Sequence, residues 1–301
     1  MRIVVLTAFA LTVWLCGPRA LNALAARFDR AAQNSPRVVL DRVGFGTPPE
    51  WMDRSLLLAV SQALAPHLAD DVAILDDDGQ RRLQDGLRAV PWVEGVAIER
   101  VFPHRLRLSC SLRRPVLAVR SGDGEPLCLV DRGAVMLPWV ETPLPVVVLY
   151  RDGGNATMSV EPGQHCRERR VAAAAAVALE WRDQFAPLVP DCPRLLEVDA
   201  TNLGEHWMIG PHYPEIRVKL ARGDGAPVVF AYDRPVDSPL ARVPVATKAK
   251  VLAQILAAHP RLEGLVAGDL RLSRRWADWL QPRAPGVPDP AGRWSDLPAG
   301  R

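Results

Sequence analysis

The stretch from Val90 to Pro138 constrains the fold more than any other part of the chain. It combines alternating apolar and polar residues, prolines and a V-D-x-G turn in one order. From Arg105 to Leu112 the alternation is strict, which predicts a strand with one apolar and one polar face. A second strand, Val96 to Val101, precedes the strand Leu106 to Leu112 across a short turn. We therefore expect a sheet that is covered on one side only.

Two amphipathic helices are expected before these strands. The first follows the turn of residues 44–49 and closes at Pro66, and its apolar stripe recurs every four residues: Leu56, Val60 and Leu64. The second runs from Gln80 to Val90, after the aspartates of residues 76–78. An EF-hand would need a glutamate at its twelfth position, so this acidic run predicts an N-cap instead of a calcium site. With a strand at Arg37–Val43, the order is βααββ, two helices over a three-stranded sheet.

The second half of the chain contains short strand-like segments and two helices. The helices are expected at Cys166–Phe185, which is rich in alanine, and at Thr247–His259. A strand pair, Gly264–Leu272 and Trp276–Leu280, closes the folded region. The earlier strands are expected at Leu127–Val130, Ala134–Leu137, Pro145–Tyr150, Leu195–Ala200, Trp207–Ile209, Ile216–Leu220 and Val228–Tyr232. The chain is therefore predicted to be α+β, with a mainly antiparallel β domain flanked by helices.

The amino-terminal residues are apolar. Ile3 to Cys16 carries no charge, which predicts a membrane helix within residues 1–30. A cleaved signal peptide that ends at Ala23–Ala25 is the alternative. The remaining domains are then a βααββ domain at residues 37–115, a β domain at residues 116–281 and a disordered tail at residues 282–301, which is rich in proline and glycine.

The composition argues against catalysis, metal binding and nucleic-acid binding. The net charge of +3 is spread along the chain without a basic stripe. The five cysteines have no C-x-x-C spacing, so a zinc site is not expected. Disulfides remain open for the four cysteines beyond Cys16, although Cys110 has the register of a buried thiol. The serines lack a G-x-S-x-G context, and we expect neither an enzyme nor a cofactor.

Several motifs, in this order, resemble the FtsQ/DivIB family of bacterial cell-division proteins. They are Pro91-Trp92, the turn Arg100–Pro103, the step Pro115–Ala118, the turn Val130–Val135 and the strand motif Gly268–Arg271. The chain departs from the family pattern in four ways. Leu112 replaces a glutamate, the V-D turn is one residue short, Leu272 replaces an aromatic residue, and only Met1 and Arg2 precede the apolar run.

The resemblance implies a single-pass anchor in the inner membrane, a polypeptide-transport-associated (POTRA) domain and a β domain, with the bulk of the chain outside the cytoplasm at the division septum. It implies a non-catalytic scaffold that recruits FtsB (DivIC) and FtsL, and further FtsK, FtsW and FtsI, without nucleic acid or a small-molecule substrate. A partner segment would add to an exposed strand edge. The rival class, a POTRA-bearing export or assembly protein, would need the regular alternating strands of a barrel, which are not found after Val116.

The resemblance also implies which residues bind the partner. The docking edge is the last strand pair, and its expected contacts are Arg271, Leu272, Trp276 and Trp279, because tryptophan and arginine are enriched at binding hot spots. The alternative is that both tryptophans cap the hydrophobic core. A second surface is expected around Trp51, Trp92 and Arg100, where the alternative for Trp92 is a structural role.

Overall fold

The structure is a computed structural model of the 301-residue chain. It describes residues 22–28, 30–31, 34–35, 37–38, 48–68, 72–101, 105–149, 158–204, 214–272 and 276–282. The chain divides into two compact units, Met1–Leu112 and Arg113–Arg301. The first predicted domain boundary lay at residues 115–116.

In the described residues from 37 to 112, the first unit has two helices and two antiparallel ladders. The helices are α1 (Arg54–Leu68) and α2 (Asp77–Ala89), and the strands are β1 (Arg37–Val38), β2 (Val72–Ala73), β3 (Val93–Val101) and β4 (Arg105–Leu112). Strand β1 pairs with β2, and β3 pairs with β4. The predicted three-stranded sheet is therefore replaced, within the described residues, by two ladders with an extra strand between the helices. Residues 39–43 of the predicted first strand lie outside the described residues.

Local sequence signals position both helices. The side chain of Asp53 accepts a hydrogen bond from the Leu56 amide at 2.8 Å, so α1 starts later than the predicted turn, and Pro66 lies inside its last turn. The predicted N-cap of α2 is confirmed, because Asp76 accepts from the Gly79 amide at 2.9 Å. The stripe predicted for α1 is buried, as is the apolar face of α2: Leu56, Val60, Leu64, Leu83 and Leu87.

A nine-stranded sheet forms the second unit. Its strands are β5 (Pro115–Ser121), β6 (Pro126–Asp131), β7 (Met136–Leu137), β8 (Val146–Leu149), β9 (Leu195–Asp199), β10 (Ile216–Ala221), β11 (Pro227–Asp233), β12 (Leu265–Asp269) and β13 (Gln281–Pro282). The spatial order is β13-β12-β11-β10-β9-β8-β5-β6-β7. The β5–β8, β8–β9 and β11–β12 pairs are parallel, and the others are antiparallel. The prediction of a mainly antiparallel sheet is thus corrected to a large mixed sheet.

Two helices pack on this sheet, α3 (Arg169–Glu180) and α4 (Val245–Ala258). A π-helical turn, Trp181–Phe185, extends α3 and places Trp181 and Phe185 in a stack with ring centres 4.1 Å apart. Buried side chains of both helices and of the strands form one core, which includes Val171, Val177, Phe185, Val218, Phe230, Leu252 and Ile255. Compared with the predicted bounds, α3 begins three residues later, at Arg169, and α4 begins two residues earlier, at Val245.

The turn Val130–Val135 is held by the side chain of Asp131. The Asp131 carboxylate accepts hydrogen bonds from the amides of Gly133 at 2.8 Å and Val135 at 2.9 Å. The residue with the left-handed backbone, however, is Ala134, whose φ is 56°, and Gly133 is not among the residues with a positive φ. The glycine of this turn is therefore one position away from where the backbone favours it.

The predicted membrane helix is wrong for the described part of the chain. None of the helices described there combines the length and the apolar character that crossing a bilayer requires. The expected single-pass placement in the inner membrane is corrected with it. Residues 1–21, the predicted strand at 207–209 and the tail from residue 283 lie outside the described residues.

Candidate functional site

The sheet ends at β12 and β13, where we expected the docking edge. Strand β12 lies within the predicted strand Gly264–Leu272. The second predicted strand, Trp276–Leu280, is not formed, because residues Trp276–Trp279 form a 3-10 turn. The last strand among the described residues is β13, which pairs with β12 at Leu265–Pro282 and Ala267–Gln281.

A glycine of β12 leaves space for the side chain of Leu280, which precedes β13. A Cβ atom added at Gly268 would lie 2.5 Å from a ring carbon of Phe230 and 3.1 Å from a methyl carbon of Leu280. Phe230 is fully buried, and Leu280 is half-buried against the same core. Only glycine therefore allows Leu280 to pack across β12, and this packing holds the turn of residues 276–279 at the sheet edge.

Arg271 is held in one orientation just beyond β12. The carboxylate of Asp269 accepts hydrogen bonds from the Arg271 amide at 2.8 Å, from its Nε at 2.9 Å and from its Nη2 at 2.6 Å. The Arg271 side chain is 18% exposed, whereas that of Asp269 is 8% exposed. A paired guanidinium loses less conformational entropy on binding than a mobile one, so Arg271 is preorganised beside the edge.

The other three residues expected at this edge, Leu272, Trp276 and Trp279, differ in what surrounds them. Leu272 is half-buried. Trp276 is half-buried and packs against the hydrophobic core, which agrees with the core-capping alternative and leaves part of its ring exposed. Trp279 lies in the same 3-10 turn.

The second predicted surface, in the first unit, is not assembled as expected. Trp92 is 1% exposed and belongs to the core of that unit, so it has no surface to offer a partner. Arg100 donates to Gln80 Oε1 at 3.1 Å and also pairs with Asp77, which fixes β3 to the start of α2. Trp51 is half-buried. The structural alternative for Trp92 therefore holds.

A buried ion network lies beside the C-terminal ends of β11 and β12. The Lys248 side chain has no solvent exposure, and its Nζ lies 3.3 Å from Asp233 Oδ2 and 3.5 Å from Glu180 Oε1. Arg242 donates to both oxygens of Glu180 at 2.8 Å, and the Tyr232 hydroxyl donates to Oε1 at 2.6 Å. Two cations thus balance two carboxylates, which is the condition for burying such charges.

The network sets the protonation of its members. Burial by itself would raise the pKa of Glu180, but hydrogen bonds from Arg242 and Tyr232 and the charge of Lys248 together lower it. Burial lowers the pKa of Lys248, an effect that the charges of Asp233 and Glu180 oppose. Burial, reinforced by the Glu180 charge, raises the pKa of Tyr232 far above its usual range, so the hydroxyl stays protonated and donates to Glu180.

The sequence interpretation missed this network, although one signal was present. Lys248 precedes Val251 by three positions and Ile255 by seven, which places a lysine within the apolar stripe of α4. Its carboxylate partners are residues 180 and 233, and such distant pairings leave no local pattern. The signal that could have found the site is therefore the misplaced lysine alone.

The cysteines and the acidic residues provide no metal site in the described part of the chain. No group of three or more histidine, cysteine, aspartate or glutamate side chains is placed there to hold an ion. Cys110, Cys128, Cys166 and Cys192 are free thiols, so the disulfide alternative is not realised among them. Cys110 was predicted to be buried but is half-buried. Burial, with a smaller contribution from Cys166, raises the pKa of Cys128 to about 12.

No protein-family model matches this chain, and a search of curated proteins found no significant match.

Proposed function

We propose that this chain is a non-catalytic docking scaffold, whose sheet edge at β12 and β13 accepts an extended segment of a partner protein. The observation that carries the proposal is the position of β12 and β13 at the end of the described sheet, beside the fixed guanidinium of Arg271. The backbone amides and carbonyls of an edge strand are a template for a further strand. Trp276 and Leu272 supply partly exposed apolar surface at the same edge.

By its resemblance to the FtsQ/DivIB family, the scaffold would serve bacterial cell division. The first partners would be the FtsB (DivIC) and FtsL proteins of the same cell, and FtsK, FtsW and FtsI would follow through them. The motifs at Pro91-Trp92, Val130–Val135 and Asp269–Arg271 support this assignment by their order.

A binding measurement tests the docking edge. The full chain is measured by biolayer interferometry against the FtsB homologue encoded in the same genome, with Trp276→Glu as the edge variant. We expect about a tenfold or greater loss of affinity, because an interfacial tryptophan is a frequent hot spot. Leu188→Glu is the matched control, since Leu188 is an exposed apolar residue of the same unit at 53% exposure.

Folding is checked by thermal melting, and Leu272→Ser carries the same expectation if Trp276→Glu does not fold. Unchanged affinity of a folded edge variant, or no binding by the wild-type chain, would contradict the docking proposal. Depletion of the protein in growing cells tests the cellular role, for which we expect long undivided filaments. Normal division after depletion would exclude a role in division and leave the docking edge to the binding result.

A further inference from the structure

A loop with exposed apolar residues connects β11 to α4. Residues 234–243 form this loop, which we call the 234–243 loop. Val236 and Leu240 are each 38% exposed, and Pro239 between them is also exposed. Connections between a strand and a helix are commonly two to six residues long, so this loop is longer than the topology requires.

Hydrogen bonds across its base give the 234–243 loop a fixed shape. Arg234 Nη1 donates to the Ala241 carbonyl at 3.0 Å, and Arg242 Nε donates to the Arg234 carbonyl at 3.2 Å. The Val243 amide donates to Asp233 Oδ2 at 2.8 Å. Because Arg242 also binds Glu180, the loop is joined directly to the buried ion network.

Core packing does not account for this arrangement. The network secures a loop whose two aliphatic side chains, Val236 and Leu240, are each 38% exposed and lie outside the main core cluster. Loops held by a rigid scaffold are where binding residues concentrate, because a fixed loop loses little entropy when it binds. A contact with another molecule therefore best explains why Val236 and Leu240 are kept in fixed positions.

The loop emerges at the same end of the sheet as Arg271. Strands β11 and β12 are parallel and adjacent, with Ala231 opposite Asp269, and the Leu270 amide donates to the Ala231 carbonyl at 3.1 Å. Arg234 follows Ala231 by three residues, and Arg271 follows Asp269 by two. The start of the loop and the residues beyond β12 thus belong to one continuous surface.

The charges at this end of the sheet are layered. Glu180, Glu215 and Asp269 are buried, whereas the arginines that pair with them, Arg242, Arg234 and Arg271, are partly exposed. A partner therefore meets guanidinium groups first. Asp237 is the one acidic residue of the loop itself. A suitable partner segment therefore has an apolar side chain that contacts Val236 and Leu240, and neighbouring carboxylates that contact these arginines.

We infer that the 234–243 loop is a second contact for the partner that docks at the β12–β13 edge, and that it receives an apolar side chain of that partner flanked by acidic residues. This inference rests on the proposed function. It adds the chemistry of the partner segment. The edge alone does not define this chemistry, because backbone hydrogen bonds do not distinguish between side chains.

The experiment measures the affinity of the full chain for the same FtsB homologue. The double variant Val236→Asp/Leu240→Asp is expected to lose about tenfold in affinity, through lost apolar contact and repulsion of the partner's carboxylates. Val236→Lys/Leu240→Lys loses only the apolar contact and is expected to bind more tightly than the aspartate variant. Leu188→Asp is the control, and it is expected to bind like the wild-type chain.

The outcomes separate the two proposals. If Trp276→Glu abolishes binding while the aspartate loop variant binds like the wild type, the loop inference is overturned and the docking edge stands. Equal losses for the aspartate and lysine variants would overturn the acidic character of the partner segment. No binding by the wild-type chain would overturn both proposals. The three substituted loop and control sites, Val236, Leu240 and Leu188, are exposed, and thermal melting checks that each variant is folded.

Discussion

The ammonium nitrogen of Lys248 lies 3.8 Å from the centre of the Tyr232 ring, and the lysine side chain is completely buried. A desolvated cation over an aromatic face is an attractive contact, and Asp233 and Glu180 balance its charge. The pair joins α4 to β11. The loop between these two elements is therefore enclosed by interactions at both of its ends.

Replacing Lys248 by methionine should destabilise the protein strongly. The substitution leaves Asp233 and Glu180 with one fewer cation in a buried site, and breaking a buried pair costs about 3 to 5 kcal/mol. Chemical denaturation should show a fall of this size in the free energy of unfolding. Lys250→Met, on the exposed face of the same helix, is the control and should change it by less than about 0.5 kcal/mol.

Stability should fall in acid because of Glu180. Its pKa is lowered in the folded state from the ordinary value of 4.5, so the unfolded state binds more protons between the two values. The stabilisation is complete above pH 4.5 and is lost as the pH falls through the lower, folded value. Urea denaturation between pH 7 and pH 3 measures this slope. If Glu180→Gln, where folded, keeps the same slope as the wild type, another carboxylate is responsible.

Moving the glycine of the Val130–Val135 turn should stabilise the second unit. Ala134 has a φ of 56°, where a side chain costs about 1 kcal/mol, and glycine removes that strain. Ala134→Gly is therefore expected to raise the melting temperature. Gly133→Ala should be nearly neutral, because a Cβ there would lie 3.4 Å from Asp131 Oδ1, an ordinary contact. A lower melting temperature for Ala134→Gly would refute this account of the turn.

Gly268→Ala should loosen the end of the sheet. The added methyl group would overlap the Phe230 ring and press on Leu280, and such overpacking costs about 1 to 3 kcal/mol. Amide hydrogen exchange should rise most at residues 276–282, because the turn and β13 can move away whereas Phe230 is buried. Exchange that rises evenly over the whole second unit would instead indicate general destabilisation.

Local sequence patterns predicted most helices and strands because their causes are local. The four-residue recurrence of Leu56, Val60 and Leu64 predicted the buried face of α1, and Asp76 predicted the cap of α2. The same reasoning failed at Trp276–Trp279. Those residues were predicted as a strand, but Leu280 packs across Gly268 and the chain turns before it pairs.

The sequence likewise predicted only part of the candidate site. The order of the motifs indicated the last strands as the docking edge, and Arg271 was predicted there from its motif. The pairing of Arg271 with Asp269 and the pairing of Arg242 in the 234–243 loop with Glu180 could not be read from the sequence. Each depends on which side chains meet after the sheet has formed.

The sequence by itself determined the periodic faces of the helices, the caps and the turn at Asp131, because these depend on neighbours within a few residues. Only the tertiary structure decided that Lys248 would be buried with Glu180 and Asp233, and that β11 and β12 would run in parallel. Residues 180, 233 and 248 are far apart along the chain, and a buried charge is stable only where folding brings its counter-charges to it. That requirement belongs to the packed structure, and no local pattern encodes it.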